Sequence, residues 1–202
     1  GAINYLALFA HHFYELTKRA KTSQGASVWH QNMARNVARK WVELHRGRDK
    51  VRFIAQVGAG RKPIILDRKL EENEFFVGIE PDGALREKAL KDSNEKQAKK
   101  FGSNSPRLLL PGKGVSLPIA LKLDQIHYVD VNHAEVLHLN EINRVLADDG
   151  KVIVRETKPD GPQTAGRPTA QDVIEKFSQA KFELVHQTEE KGAYYLVFKR
   201  SK

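Results

Sequence analysis

From residue 51 onward, short apolar runs rich in β-branched and aromatic residues alternate with stretches of helical periodicity. That alternation is typical of an α/β domain in which helices connect the strands of a mostly parallel sheet. Strands are predicted at 51–57, 75–80, 107–110, 124–130, 151–156, 182–188 and 194–199. Helices are predicted at 63–72, 82–91, 133–147 and 169–180, and Thr169 with Asp172 forms a capping-box pattern at the start of the last one. The pattern therefore predicts a doubly wound sheet.

The last two predicted strands are connected differently from the others. Only the short turn 190–192 separates them, which is too brief for a helical crossover. Parallel neighbours need such a crossover, so this pair is expected to be antiparallel. The predicted fold class is thus α/β, a doubly wound and mostly parallel seven-stranded sheet with a C-terminal antiparallel hairpin and an N-terminal helical extension.

The first quarter of the chain differs in charge and in periodicity. Apolar residues recur there at spacings of three and four, which predicts two amphipathic helices within residues 1–50. This segment carries nine Lys or Arg residues against three acids, out of a net charge of +9 for the whole chain. Arg35 and Arg39 share a helix face and are candidate nucleic-acid-binding residues, because cations that neutralise phosphates release counterions. The alternative is an ordinary solvated helix face.

Composition narrows the function classes. With 202 residues and 40% hydrophobic content, one sizeable core is expected, with residues 51–202 as the main domain and 1–50 as a basic extension. The absence of cysteine excludes disulfides, thiolate metal sites and cysteine nucleophiles. No metal site is predicted, since the neighbouring His11 and His12 point in different directions on a helix.

The prediction of cellular location depends on two sequence features that the chain does not show, a membrane-spanning run and a signal peptide. No run reaches the roughly 18 apolar residues that span a bilayer, so no membrane partner is predicted. The first residues do not resemble a signal peptide, which predicts a cytoplasmic protein. Because the chain starts without methionine, the alternative is a terminal effector module delivered as part of a larger secreted protein.

One pair of motifs predicts a ligand. Gly58 follows the first predicted strand, and Glu80 closes the second, 22 residues later. Parallel strands bring both positions to one edge of the sheet, where a glycine turn allows close approach to the backbone and a carboxylate can accept hydrogen bonds from two ribose hydroxyls. A cofactor that contains ribose is therefore expected at this edge.

Several segments in order resemble the class I S-adenosylmethionine-dependent methyltransferases. The glycine turn of that family is similar to residues 57–60, and its second-strand acidic motif to 77–82. Residues 117–118 and 123–127 resemble the approach to its fourth strand, and 140–154 resemble the following helix, turn and fifth strand. The resemblance covers about 51–200 and implies S-adenosylmethionine as the cofactor and methyl transfer as the activity.

The resemblance also implies roles for individual residues. Gly58 and Gly60 would pass under the methionine part of the cofactor, and Glu80 would hold the ribose hydroxyls. The backbone at Lys113 and Gly114 would contact the adenine.

At the end of the fourth strand, Asp130 and His133 would face the transferable methyl group and are the candidate catalytic residues. His127 and Glu156 are the other titratable groups expected near this edge. Methyl transfer from a sulfonium is an in-line displacement that depends mainly on alignment, so a larger catalytic constellation is not required.

Three positions depart from the family pattern. Gln56 stands where a carboxylate usually serves the cofactor's amino group, Lys62 stands at a third glycine, and Lys113 replaces a frequent acid. Gln56 keeps an acceptor and remains a candidate cofactor ligand. These departures would permit the alternative of a catalytically silent domain of the same fold that binds a partner or nucleic acid. A nicotinamide-dependent dehydrogenase is a third hypothesis for the function. The predicted C-terminal hairpin argues against it, because that class of fold does not usually have one.

The methyl acceptor can be narrowed in part. Cytosine C5 methylation by the usual route needs a cysteine, which the chain lacks. Adenine amino methylation in this family commonly uses an Asn/Asp-Pro-Pro-aromatic sequence, which residues 130–133 do not match. Ribose, ring-nitrogen, protein and small-molecule acceptors stay open, and the basic helices favour a nucleic acid or another large acceptor.

Overall fold

The computed structural model of the chain describes residues 50–119, 121–130, 138–162 and 165–202. The predicted extension 1–50, with Arg35 and Arg39, lies outside the described residues except for Lys50, as does His133. Those assignments stay predictions.

Seven strands form one sheet in the order β3-β2-β1-β4-β5-β7-β6. Their bounds are β1 Arg52–Val57, β2 Glu74–Ile79, β3 Arg107–Leu110, β4 Leu123–Val129, β5 Leu146–Thr157, β6 Phe182–Glu190 and β7 Ala193–Arg200. β1 pairs in parallel with β2 and β4, and the further pairs β2–β3 and β4–β5 are also parallel. β7 pairs antiparallel with both β5 and β6. The predicted mostly parallel sheet with a C-terminal antiparallel hairpin is confirmed.

Helices cover both faces of the sheet. They are α1 Gly83–Glu95, which continues as a π-helical segment Lys96–Lys100, α2 Leu139–Val145 and α3 Ala170–Gln179. One apolar cluster joins the sheet to α2 and α3 through residues such as Tyr128, Val154 and Phe177. A second cluster joins the other face to α1 through Ile54 and Phe76. Because each face has its own cluster, the domain is doubly wound, as predicted.

The predicted helix at 63–72 is wrong. Only a single 3-10 turn, Ile64–Leu66, forms there. Gln97, fully buried in the π-helical segment, donates to the carbonyls of Ile65 and Arg68 and accepts from the N–H of Leu70. These side-chain hydrogen bonds satisfy the backbone groups that a helix would have paired, so the segment packs as an irregular loop.

The junction of α2 and β5 also differs from the prediction. The helix predicted to reach residue 147 ends at Val145, and the strand predicted from 151 begins at Leu146. Leu146 already has extended backbone angles and pairs with Leu123, before a register shift leads to the pair Gln125–Lys151. An early pairing followed by a bulge therefore replaces the expected last helical turn.

Candidate functional site

The sheet order creates a crevice between β1 and β4. From β1 the chain proceeds to β2 and β3 on one side, and it then returns to β4 on the other side. In open α/β sheets, ligands bind outside the carboxyl ends of the strands at such a reversal, because the connections there diverge to opposite faces. The loop after β1 and the end of β4 border this crevice.

The turn after β1 is glycine-dependent. Gly58 has φ of +73°, a conformation that glycine adopts without steric cost. The N–H groups of Gly58 and Ala59 donate to the carbonyl of Ile79, at 2.8 and 3.1 Å. These bonds tie the turn to the end of β2, so the predicted glycine turn and the predicted acidic residue lie side by side.

Glu80 is held by that turn. The Gly60 N–H donates to its Oε2 at 3.3 Å, and the Asp82 backbone supplies a second hydrogen bond to the carboxylate. A Cβ on Gly60 would lie 2.7 Å from Cγ and Cδ of Glu80, so only glycine lets the two segments approach this closely. Glu80 is 7% exposed, and its carboxylate accepts hydrogen bonds from the two loops at the rim.

The environment of Glu80 also affects its ionisation. Burial raises the pKa of its carboxyl group, and the backbone hydrogen bonds from Gly60 and Asp82 offset only part of that increase. Beneath it, Arg86 is 5% exposed and donates from Nη1 to the Glu80 carbonyl at 2.9 Å. Sequence reasoning missed Arg86, since its role depends on the turn of α1 that places it under the rim.

Gln56 lies at the end of β1, fully buried. Its Nε2 donates to the carbonyl of Lys62 at 2.8 Å, and its Oε1 accepts from the N–H of Ile64 at 2.8 Å. The side chain therefore shapes the loop after the glycine turn. A direct contact of Gln56 with a cofactor stays a prediction.

Lys113 and Gly114 follow β3 at the same edge of the sheet. The Ser116 N–H donates to the carbonyl of Lys113 at 3.1 Å, which closes a tight turn with Lys113 exposed and Gly114 buried. A pair on α2 supports the next residues. Glu141 accepts from the N–H of Leu117, and Arg144 donates to the carbonyls of Leu117 and Ile119.

Asp130 directly follows β4 and has φ of +48°, an uncommon conformation for a residue with a side chain. Its carboxylate accepts from Lys62 Nζ at 2.6 Å, from Arg155 Nη1 at 3.2 Å, and from both the N–H and the hydroxyl of Thr157. Burial raises the pKa of Asp130, but the hydrogen bonds from Lys62 and Thr157 outweigh it and hold that pKa below its usual value. Asp130 is thus an ionised anchor and a poor proton acceptor.

The other two titratable candidates lie on neighbouring strands. His127 is buried within β4, with Nε2 3.1 Å from Gln125 Oε1, and desolvation lowers its pKa to about 4, helped by the charge of Arg68. Glu156 is buried at the end of β5, with Oε1 3.5 Å from Arg167 Nη1. The structure therefore brings Glu156 to the edge near Asp130 and leaves His127 deeper in the sheet.

Metal sites and membrane spans are the two remaining classes of feature for the described part of the chain. Residues 50–119, 121–130, 138–162 and 165–202 contain no group of three or more His, Asp or Glu side chains arranged to hold a metal ion. No helix among them is long and apolar enough to cross a membrane.

Sequence comparisons give no relatives: neither the protein-family models nor the curated protein sequences match this chain. Solved structures do match. A ribosomal protein L11 methylase from Lactobacillus delbrueckii subsp. bulgaricus has a TM-score of 0.54 at 16% identity, over 85% of this chain and 79% of that one. The 16S rRNA methyltransferase KamB has a TM-score of 0.55 at 13% identity, over 81% and 94% of the two chains.

A third similar structure carries a different activity in its name. The [4+2]-cyclase SpnF has a TM-score of 0.57 at 15% identity, over 89% of this chain and 85% of its own. Similarity at these identities establishes architecture, and function has to be argued from the site itself. With the sheet order and the glycine turn described above, this chain has the Rossmann-like fold of the class I S-adenosylmethionine-dependent methyltransferases.

Proposed function

We propose that this domain binds S-adenosylmethionine across the carboxyl edge of its sheet and transfers the methyl group to a nucleic-acid acceptor. The observation that carries the proposal is the contact of Glu80 with Gly60 beside the switch point of the sheet. A buried, oriented carboxylate at this place has the geometry to hold a ribose.

The residues fit the nucleoside end of the cofactor. An ionised carboxylate offers about four acceptor positions, and the backbone contacts from Gly60 and Asp82 leave room for two ribose hydroxyls on Glu80. The turn at Lys113 and Gly114 lies beyond the end of β3, next to β2, where an adenine ring would meet backbone.

At the amino-acid end, the loop beyond Gly60 is cationic. Lys62 is hydrogen-bonded to Asp130 across the crevice between β1 and β4. A bound cofactor would supply an electrophilic methyl on a positively charged sulfur. The chain's own contribution is to hold the ribose through Glu80, while the ionised Asp130 keeps Lys62 and Arg155 in place at this end of the crevice.

A second candidate function is a silent domain of the same fold that binds nucleic acid without transferring a methyl group. The observation that favours it is the Lys62–Asp130 ion pair, 2.6 Å long, which joins the loop after β1 to the end of β4 across the crevice. Calorimetry separates the two functions, because a silent domain does not take up the cofactor.

A nucleic-acid acceptor is supported by the net charge of +9 and by the similarity in fold to KamB, a 16S rRNA methyltransferase. Excess Lys and Arg give a sequence-independent attraction for phosphates that weakens with salt. The proposal for Arg35 and Arg39 as phosphate contacts rests on their spacing in the sequence alone.

Removal of the Glu80 carboxylate tests the cofactor site. We expect Glu80→Ala to weaken the binding of S-adenosylhomocysteine by about 100-fold or more, because two hydrogen bonds to a charged acceptor contribute roughly 1.5–3 kcal/mol each. Isothermal titration calorimetry measures this directly. Glu183→Gln is the matched control, since it removes an exposed carboxylate paired with Lys199 at the far edge of the sheet. Equal affinity of wild type and Glu80→Ala would contradict the proposed site.

Charge at the rim should also separate two ligands that differ by one methyl group. S-adenosylmethionine carries a sulfonium, whereas S-adenosylhomocysteine has a neutral sulfur, so Lys62 and Arg155 repel only the first. We expect S-adenosylhomocysteine to bind about fivefold more tightly at low salt, a difference on the order of 1 kcal/mol. Lys62→Gln should reduce this ratio of the two affinities. Lys151→Gln is the control, because it removes the same charge from an exposed position in β5, and it should leave the ratio unchanged. A ratio that is insensitive to both salt and Lys62→Gln would show that rim charge does not govern it.

A further inference from the structure

Three cationic side chains from separate elements converge at the carboxyl edge of β4 and β5. Lys62 follows β1, Arg155 lies in β5, and Arg167 lies in the segment before α3. Their nitrogens lie 2.6, 3.2 and 3.9 Å from carboxylate oxygens of Asp130. These three residues are called the rim cation cluster.

The acids of this network lie behind the cations. The side chains of Asp130 and Glu156 are 10% and 2% exposed, whereas those of Lys62, Arg155 and Arg167 are 63%, 39% and 39% exposed. Three positive charges thus stand in front of two buried negative charges. An anion that approaches from solvent meets the cations first, and the acids hold those cations in position.

The arginines have donors to spare. Arg155 and Arg167 reach the carboxylates through Nη1, and neither makes any other hydrogen bond or ion pair within the part of the chain that the structure describes. A guanidinium carries five N–H donors, so each side chain can bind a second acceptor without losing its first. Two guanidinium groups and one ammonium together match the several oxygens of a phosphate.

We propose that the rim cation cluster binds a phosphate group of the methyl acceptor, supplied by a polynucleotide or by a free nucleotide. This inference rests on the proposed function, because it assigns the acceptor side of the same crevice. Glu80 follows β2, and Arg155 lies in β5, three strands away. Neighbouring strands are about 4.8 Å apart, which separates the two groups by roughly 14 Å, so the ribose site and the phosphate site are distinct.

The test measures binding without cofactor, using a fluorescein-labelled single-stranded oligoribonucleotide and fluorescence anisotropy at about 50 and 200 mM salt. Lys62→Gln and Arg167→Gln are each expected to weaken binding about fivefold at the lower salt and to reduce the salt slope by about one. Lys151→Gln removes the same charge from an exposed position at the start of the parallel part of β5 and should have a clearly smaller effect.

Two controls keep the result interpretable. Lys62 is mostly exposed, so Lys62→Gln should fold normally, and Arg167→Lys retains the charge and should retain most of the affinity. Adenosine monophosphate is the competitor. If it displaces the oligoribonucleotide readily from wild type but poorly from the Lys62→Gln variant, the phosphate source is a free nucleotide. If it does not compete while the oligoribonucleotide depends on the cluster, the source is a polynucleotide.

The inference is overturned if wild type does not bind the oligoribonucleotide, or if Lys62→Gln and Arg167→Gln weaken binding no more than Lys151→Gln. That failure is distinct from failure of the proposed function. Glu80→Gln should retain cluster-dependent binding of the oligoribonucleotide while losing S-adenosylhomocysteine. A wild type that binds the oligoribonucleotide through the cluster but takes up no cofactor would contradict the proposed function and leave the phosphate site standing.

Discussion

Arg68→Met is expected to lower the free energy of unfolding by about 3 kcal/mol, because it leaves a buried carboxylate without its main partner. Glu74 begins β2 and is 1% exposed. Arg68 donates from Nη1 and Nη2 to its two carboxylate oxygens, both at 2.7 Å. Burial raises the pKa of Glu74, but the hydrogen bonds from Arg68 and the Glu71 backbone outweigh it, so the carboxyl group is ionised.

Urea denaturation of wild type and three variants measures this effect. Arg52→Met is the matched control, since Arg52 lies 3.7 Å from the same carboxylate, against 2.7 Å for Arg68, and it should cost less than about 1 kcal/mol. The double variant Arg68→Met, Glu74→Met should recover most of the lost stability, because an apolar pair of similar volume removes the buried charge altogether. If Arg68→Met cost no more than Arg52→Met, the pair would be an ordinary surface contact.

Acidification should destabilise the domain through His127. Desolvation, with a smaller contribution from Arg68, lowers the pKa of this histidine from 6.5 to about 4, while Glu74 acts weakly in the opposite sense. Between these two values the unfolded chain binds a proton that the folded chain excludes, so stability increases with pH across that window. The loss on going from pH 6.5 to 4 is about 3 kcal/mol.

Replacement of the histidine isolates its contribution. His127→Gln does not titrate, so its unfolding free energy should change much less than that of wild type between about pH 5 and 6.5. Folding lowers the pKa values of three carboxyl groups, those of Glu74, Asp130 and Glu141. Their stabilising effect is lost only at lower pH, as the pH falls below the pKa values that these groups have in the unfolded chain. Parallel pH profiles for the two proteins across that window would show that His127 is accessible to protons in the folded state.

Both predictions concern the same side of the sheet. Arg68 is held in the loop that Gln97 organises, and it also contributes to the low pKa of His127. The loop that replaced the expected helix is therefore part of the electrostatic environment of β2 and β4. A change in its conformation would alter the charges that act on His127.

The predicted site residues divide into groups with different roles in the structure. Gly58, Gly60 and Glu80 form one hydrogen-bonded unit at the crevice, as their spacing indicated. Gln56 stabilises the loop beyond them, and Asp130 anchors the cations of the rim. The catalytic assignment of Asp130 stays a prediction, although its lowered pKa favours a role in positioning.

Local pattern was sufficient for the first three strands and for the capped helix. Strands buried on both faces appear as continuous apolar runs, which is why β1, β2 and β3 lie within about a residue of their predicted bounds. Thr169 and Asp172 form the predicted reciprocal capping box at the start of α3. In these cases the deciding contacts lie within a few residues along the chain.

The sequence by itself determined the α/β architecture, the antiparallel hairpin and the glycine turn facing Glu80, since each depends on periodicity or on short-range backbone geometry. Only the tertiary structure decided that 63–72 is a loop and that Lys62, Arg155 and Arg167 meet at Asp130. Gln97 lies 27 residues from Leu70, and Lys62 lies 68 from Asp130. The physical reason is that buried polar groups take whichever partners the fold brings near, and no local pattern records contacts between such distant residues.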